Sequence, residues 1–230
     1  MTKLHIDPLV VLETFQRLIG ANAFLEVVDE AIPAMDWEQG EALRHFFEEQ
    51  GWDFGDYDVE RQVHDAKFKY LVPMFAAYSV IILLDSIVET QLFAYAEVAG
   101  RVHGSVFRPV EIRGHGLEPA AIYLKRVAAV DVKQDPAWEH LCHLEELRNI
   151  IAHGGGKPGE SPEQHKKFER LVQAYPGKVA LLDSPYNVNR DKGIWISMHL
   201  CRDFTREIEG FFKRLSEGTG LSHKGTRNAA

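Results

Sequence analysis

The chain is poor in cysteine. It has two, Cys142 and Cys201, and neither stands in a C-x-x-C or other metal-ligand spacing. That excludes a disulfide scaffold and a zinc module, and it points to a cytoplasmic protein with reduced thiols. Long hydrophobic runs are also missing. The longest, LVPMFAAYSVIILL from Leu71 to Leu84, carries Pro73 and is followed by Asp85. It falls short of the roughly 18 residues of a spanning helix, so it reads as a buried core helix and no membrane is expected. The opening MTKLHIDPLVVLE has no basic region before an apolar stretch, so no secretory signal is expected. No glycine-rich loop follows a strand, which argues against a nucleotide-hydrolysing fold. No serine or cysteine stands near a histidine in a nucleophile motif; Cys142, beside His143, points the other way around its helix. There is no internal repeat and no low-complexity segment, and no cofactor is implied.

What is present is a chain of 230 residues, 45% hydrophobic, enough for one sizeable core or two small domains. Its net charge of −8 argues against a general nucleic-acid binder. The charge is uneven, however. Residues 1–100 hold 6 Lys and Arg against 18 Asp and Glu, while residues 101–230 hold 20 against 16, with 8 of the 11 histidines. Either the second half meets an anionic ligand, or the two halves attract each other.

Helix starts are written in a repeated form. Asp7-Pro8, Asp135-Pro136 and Ser161-Pro162 each put a capping side chain before a proline. Gln164 after Ser161, and Gln39 after Asp36, sit at capping-box spacing. The spacing predicts helices at about 8–31, 36–50, 118–131, 136–153 and 162–174, with a long one at about 58–99 that Pro73 should kink or split. Val80, Leu83, Leu84, Ile87, Val88 and Leu92 give that long helix its apolar period. KVALLD and GIWISMHL alternate as strands around the turn-rich SPYNVNRDK, and Phe204, Ile208, Phe211 and Leu215 mark a last amphipathic helix. The tail from about Glu217 reads as frayed.

The segment that carries chemistry is ELRNIIAHGGG, Glu146 to Gly156. At about 100° per residue, Leu141, Leu144, Leu147 and Ile151 share a core stripe, and Glu145, Asn149 and His153 share a polar one. Arg148 lies about 140° from His153, but its side chain is long enough to swing towards it. The glycines stop the helix, and with no side chains they let a backbone or a phosphate come close to His153. A histidine at a helix C-terminus meets the negative end of the dipole, and it can give or take a proton. An arginine fork can hold a phosphate. Taken as bare residues, the same pair fits a helix-capping histidine and an arginine paired with Glu145 or Glu146.

LRNIIAHGG resembles the Arg-x4–6-His motif of the HEPN superfamily. Arg148 matches the motif arginine, Asn149 the polar residue that often follows it, and His153 the motif histidine. Tyr78 to Val98 resembles the family's first core helix, where Glu89 or Asp85 could fill the acidic place. The likeness covers about residues 75–215. It implies an all-α fold: a HEPN-like helical bundle (57–216) with one small β-hairpin before the last helix. An extra acidic helical region (1–56) precedes the bundle and a tail (217–230) follows it. It implies a metal-independent endoribonuclease acting on RNA at a homodimer cleft, in bacterial defence or a toxin–antitoxin pair, with a cognate antitoxin or a nucleotidyltransferase as partner. His153 would be the acid/base group, Arg148 would hold the scissile phosphate, Asn149 would orient one of them, and Glu89 would supply the acidic group. Arg101, Arg108, Arg113 and Lys157 are the candidate RNA-binding cations. Some family members are instead non-catalytic dimerisation modules. The acidic N-terminal region is expected to pack against the basic half or to cover the cleft. Glu139, His140, His143, Glu145 and Glu146 crowd one helix, but without a second Glu-x-x-His pair they read as a solvated face rather than a metal site. Phe93, Tyr95, Phe107 and Trp138 are candidate stacking aromatics, with burial as the alternative.

Overall fold

The computed structural model describes residues 7–51, 54–159, 161–183 and 192–217. The fold is mostly helical, with one antiparallel hairpin before the last helix. In chain order the elements are α1 (Pro8–Gln50), α2 (Phe54–Ala66), α3 (Val72–Val102), α4 (Glu118–Ala128), α5 (Trp138–Gly154), α6 (Pro162–Ala174), β1 (Val179–Asp183), β2 (Lys192–Ile196) and α7 (Met198–Glu217). The expected turn at 184–191 and the tail from 218 lie outside the described residues.

Several boundaries follow their local signals. Asp7 Oδ1 accepts the Leu9 N–H at 2.9 Å at the start of α1. Ser161 and Gln164 close the capping box that opens α6. Two expectations are corrected. The helices expected at 8–31 and 36–50 are one, α1, which runs through Pro33, and Asp36 caps nothing. A helix-interior proline costs about 3 kcal/mol. Leu18, Ala21 and Leu25 before it and Phe47 after it are all buried, and that burial outweighs the loss. Pro73 falls where the expectation puts a break: α2 ends at Ala66, a turn of π-helix covers Lys67–Leu71, and α3 starts at Val72 with Pro73 in its first turn. The SMHL of GIWISMHL is not strand: β2 ends at Ile196, and α7 starts at Met198 with Ser197 Oγ accepting the Leu200 N–H. Among the described residues one helix, Phe54–Val102, is long and apolar enough to cross a membrane. The central helix of a soluble bundle shares that property.

The chain forms two compact units. The first is built from Met1–Ala21, Ile82–Arg148 and Asp203–Ala230. Its core is Leu84, Val88, Leu92 and Tyr95 of α3, Leu124 of α4, Leu141, Leu144 and Leu147 of α5, and Phe204, Ile208 and Phe211 of α7. Thr14 of α1 joins it through a buried hydrogen bond to the Gln91 side chain, 2.8 Å.

The second unit is Asn22–Ile81 and Asn149–Arg202. There Asp29 of α1 pairs with Arg202 of α7, an acidic-half to basic-half contact. The hairpin is registered Leu181 opposite Ile194 and Ala180 opposite Trp195. Two strands alone are marginal in water, and their outer edges need partners. Ile194 finds both of its own. Its N–H donates to Gly156 O at 2.7 Å, and its carbonyl accepts the Tyr78 hydroxyl at 2.5 Å. Gly156 has φ +80°, and a side chain there would collide with the Tyr78 ring. Gly156→Ala should therefore cost about 2 kcal/mol or more through strain and displacement of Tyr78. Tyr78→Phe should cost about 1–2 kcal/mol for the orphaned carbonyl. Denaturant unfolding measures both, and a Gly156→Ala loss within error of zero would remove this clamp from the account.

Candidate functional site

Asp135 opens α5. Its Oδ1 accepts the Ala137 N–H at 2.9 Å, and its two oxygens receive Arg214 of α7 at 2.7 and 2.8 Å. Leu141, Leu144, Leu147 and Ile151 are buried, as their period requires.

Arg148 leaves α5 on another side and reaches α3. Its Nε donates to Asp85 Oδ2 at 2.7 Å, and Nη2 lies 3.9 Å from Glu89 Oε2. The Arg148 side chain is 22% exposed and that of Asp85 5%. Burial works against the arginine's charge, but the Asp85 bond and the charges of Asp85, Glu89 and Glu145 outweigh it and raise its pKa. Glu145 stands three residues earlier on α5, half-buried. Burial pushes its pKa up, and the Asp85 charge adds to that. Its carboxylate accepts the Leu117 N–H and fills the space where a side chain at Gly116 would go. One guanidinium thus faces three carboxylates.

The boundary between the two units falls inside α5, between Arg148 and Asn149. In the second unit Asn149 is half-buried and His153 is exposed on the last turn. Gly155 and Gly156 both take positive φ, +60° and +80°, and the Gly156 N–H reaches back to Ile150 O at 3.2 Å. The backbone that approaches these glycines is β2, at Gly156. Beside His153, at Gly154 and Gly155, a side chain would meet open space.

The candidate RNA-binding cations divide between the units. Arg101 and Arg108 line a cavity at the end of α3, and Arg113 is exposed beyond it, all in the first unit. Lys157 is exposed in the second, four residues after His153. Asp85, Glu89 and Arg148 are brought together. Glu145, one of the two carboxylates that the sequence offers to Arg148, is the one whose charge acts on it. Tyr78 has no signal beyond its place in an apolar run, although a tyrosine there usually needs a partner for its hydroxyl. Phe93 is half-buried, Tyr95 buried and Trp138 half-buried. Phe107 is 39% exposed. Burial pushes the thiols of Cys142 and Cys201 up to about 11 and about 12, so both stay protonated at neutral pH. Among the described residues no three His, Cys, Asp or Glu side chains group so as to hold a metal.

No protein-family model, curated protein or solved structure matches the chain.

The geometry makes two predictions. Arg148→Ala strands the buried Asp85 carboxylate and should cost about 3 kcal/mol. Arg148→Lys keeps a positive charge there and should cost less than half of that. Equal losses for the two would show that charge pairing is not what Arg148 supplies. Glu145 titrates higher in the fold than in the open chain. Its contribution to stability is therefore full below the ordinary Glu range and is lost as pH rises through the folded value. Glu145→Gln removes that loss, so its thermal midpoint relative to the parent should improve from about pH 4 to about pH 7. A difference that does not change with pH would refute the shift.

Proposed function

We propose that the end of α5 is the catalytic element of a metal-independent endoribonuclease of the HEPN type. In this reading the chain works in the cytoplasm as a homodimer, in bacterial defence or a toxin–antitoxin pair, with an antitoxin or nucleotidyltransferase as cognate partner. One observation supports it above the others. The two segments that carry the resemblance, Tyr78–Val98 and RNIIAH, are tied to each other by Arg148 on Asp85.

The chemistry needs no cofactor. A ribose 2′-OH loses its proton and attacks the adjacent phosphorus. The bond to the 5′-oxygen of the next nucleotide breaks, that oxygen takes a proton, and a 2′,3′-cyclic phosphate remains. His153, exposed on the last turn, is suited to move these protons. In a dimer two copies would supply both base and acid. Arg148 has five N–H donors, and Asp85 fixes the Nε edge, which orients the others for a phosphate. Asn149 follows directly and would orient the substrate or the histidine. Glu89 and Asp85 share the acidic role.

A second reading has its own observation. Three carboxylates around one guanidinium repel a phosphate, which fits a non-catalytic dimerisation module in which Arg148 only ties α3 to α5. The test uses purified full-length protein and single-stranded RNA. Cleavage should survive EDTA and leave 2′,3′-cyclic ends. His153→Ala should slow it by a factor on the order of 10²–10⁴ while melting like the parent. Arg148→Lys, which spares Asp85, should also cripple it because the fork is lost. Light scattering should show a dimer. A dimer that cuts no RNA, with or without divalent ions, would decide for the module.

A further inference from the structure

Where α3 ends, the chain turns through residues 103–108 and closes a cavity of about 300 Å³ within the first unit. Its wall carries Arg101, Arg108, Glu97 and Ser105, and its aromatic side is Phe107 over Tyr123. The two rings meet edge to face, 5.2 Å apart. The Tyr123 hydroxyl donates to the carbonyl of Phe107 at 2.8 Å. Gly100 lets that hydroxyl sit against the α3 backbone, where any side chain would evict it. Phe107 is thus held by a buried neighbour while 39% of its own surface stays open. A fixed, half-open ring is a stacking platform, since the ordering entropy is already lost before a ligand arrives.

The charges are equally specific. Arg108 pairs with Glu97 at 3.2 Å. Arg101 is exposed and, among the described residues, has no ion-pair partner. Arg108 is already matched by Glu97, with the Glu111 carboxylate on its backbone N–H at 3.2 Å, which leaves Arg101 as the charge that can meet one phosphodiester. Glu97 can also accept from a base amino group. Along α3, Glu97 stands about 12 Å from Glu89, the neighbour of Arg148, a few nucleotides of a single strand away.

We propose that this cavity is a nucleoside-phosphate subsite: Phe107 stacks a base and Arg101, with Arg108, takes its phosphate. The inference rests on the ribonuclease reading for one point, that the nucleotide belongs to an RNA strand. The same chemistry is offered by a free mononucleotide.

The experiment uses the full chain with His153→Ala, to prevent cleavage, and a labelled single-stranded oligoribonucleotide followed by fluorescence anisotropy. Arg101→Ala, at an exposed position, and Phe107→Leu, which keeps apolar packing but loses the flat face, should each weaken binding about 10-fold. Circular dichroism should be unchanged for both. Competition by AMP separates the sources. Competition far weaker than that of unlabelled RNA identifies a strand subsite; competition as strong identifies a free nucleotide. Affinity unchanged in both variants overturns the subsite, even if the parent chain cuts RNA. AMP binding that Arg101→Ala abolishes, in a chain whose parent cuts no RNA, upholds the subsite and sinks the ribonuclease reading instead.

Discussion

A mostly covered guanidinium keeps its charge and needs a carboxylate beside it to offset its lost hydration, and for Arg148 that carboxylate is Asp85. Asp85 sits on the face of α3 that also buries Leu84, Ile87 and Val88, so it is as dependent on the arginine as the arginine is on it. The pair fixes the register of α5 against α3 in the first unit. With that register set, Leu141, Leu144 and Leu147 turn to the core, and Glu145 is carried into partial burial under Gly116. The raised pKa of Glu145 follows from that burial first and from the nearby Asp85 charge second.

The end of α5 obeys a second constraint, the open edge of a two-stranded hairpin. Gly156 offers its carbonyl to Ile194 and leaves room for Tyr78, whose hydroxyl takes the other half of that residue's backbone. Of three consecutive glycines, one is spent on packing, while Gly154 and Gly155 border open space next to His153. His153 is therefore exposed on the last turn of α5, beside backbone that carries no side chains.

The acidic character of the first hundred residues has a structural outlet. Asp85 and Glu89 engage Arg148, Glu97 engages Arg108, and Asp29 engages Arg202. Each pair joins the acidic part of the chain to the basic part. The asymmetry read in the sequence is thus used in folding, and Arg101 stands apart from that scheme at the mouth of its cavity.

The sequence by itself determined whatever depends on near neighbours. The Ser161–Gln164 box, the Asp7 cap, the glycine stop after His153, the hairpin before the last helix and the apolar stripe of α5 all work within a few residues. Tertiary structure decided the rest, because the deciding energy came from residues far along the chain. Burial on both sides of Pro33 carried α1 through a proline that local rules would end it at, leaving Asp36 no helix to cap. The period of α5 put Arg148 off the core stripe but could not name what it faces, since Asp85 is 63 residues away. Nor could it show that Gly100, Phe107 and Tyr123 would meet, because a cavity is made by packing between segments and has no period to read.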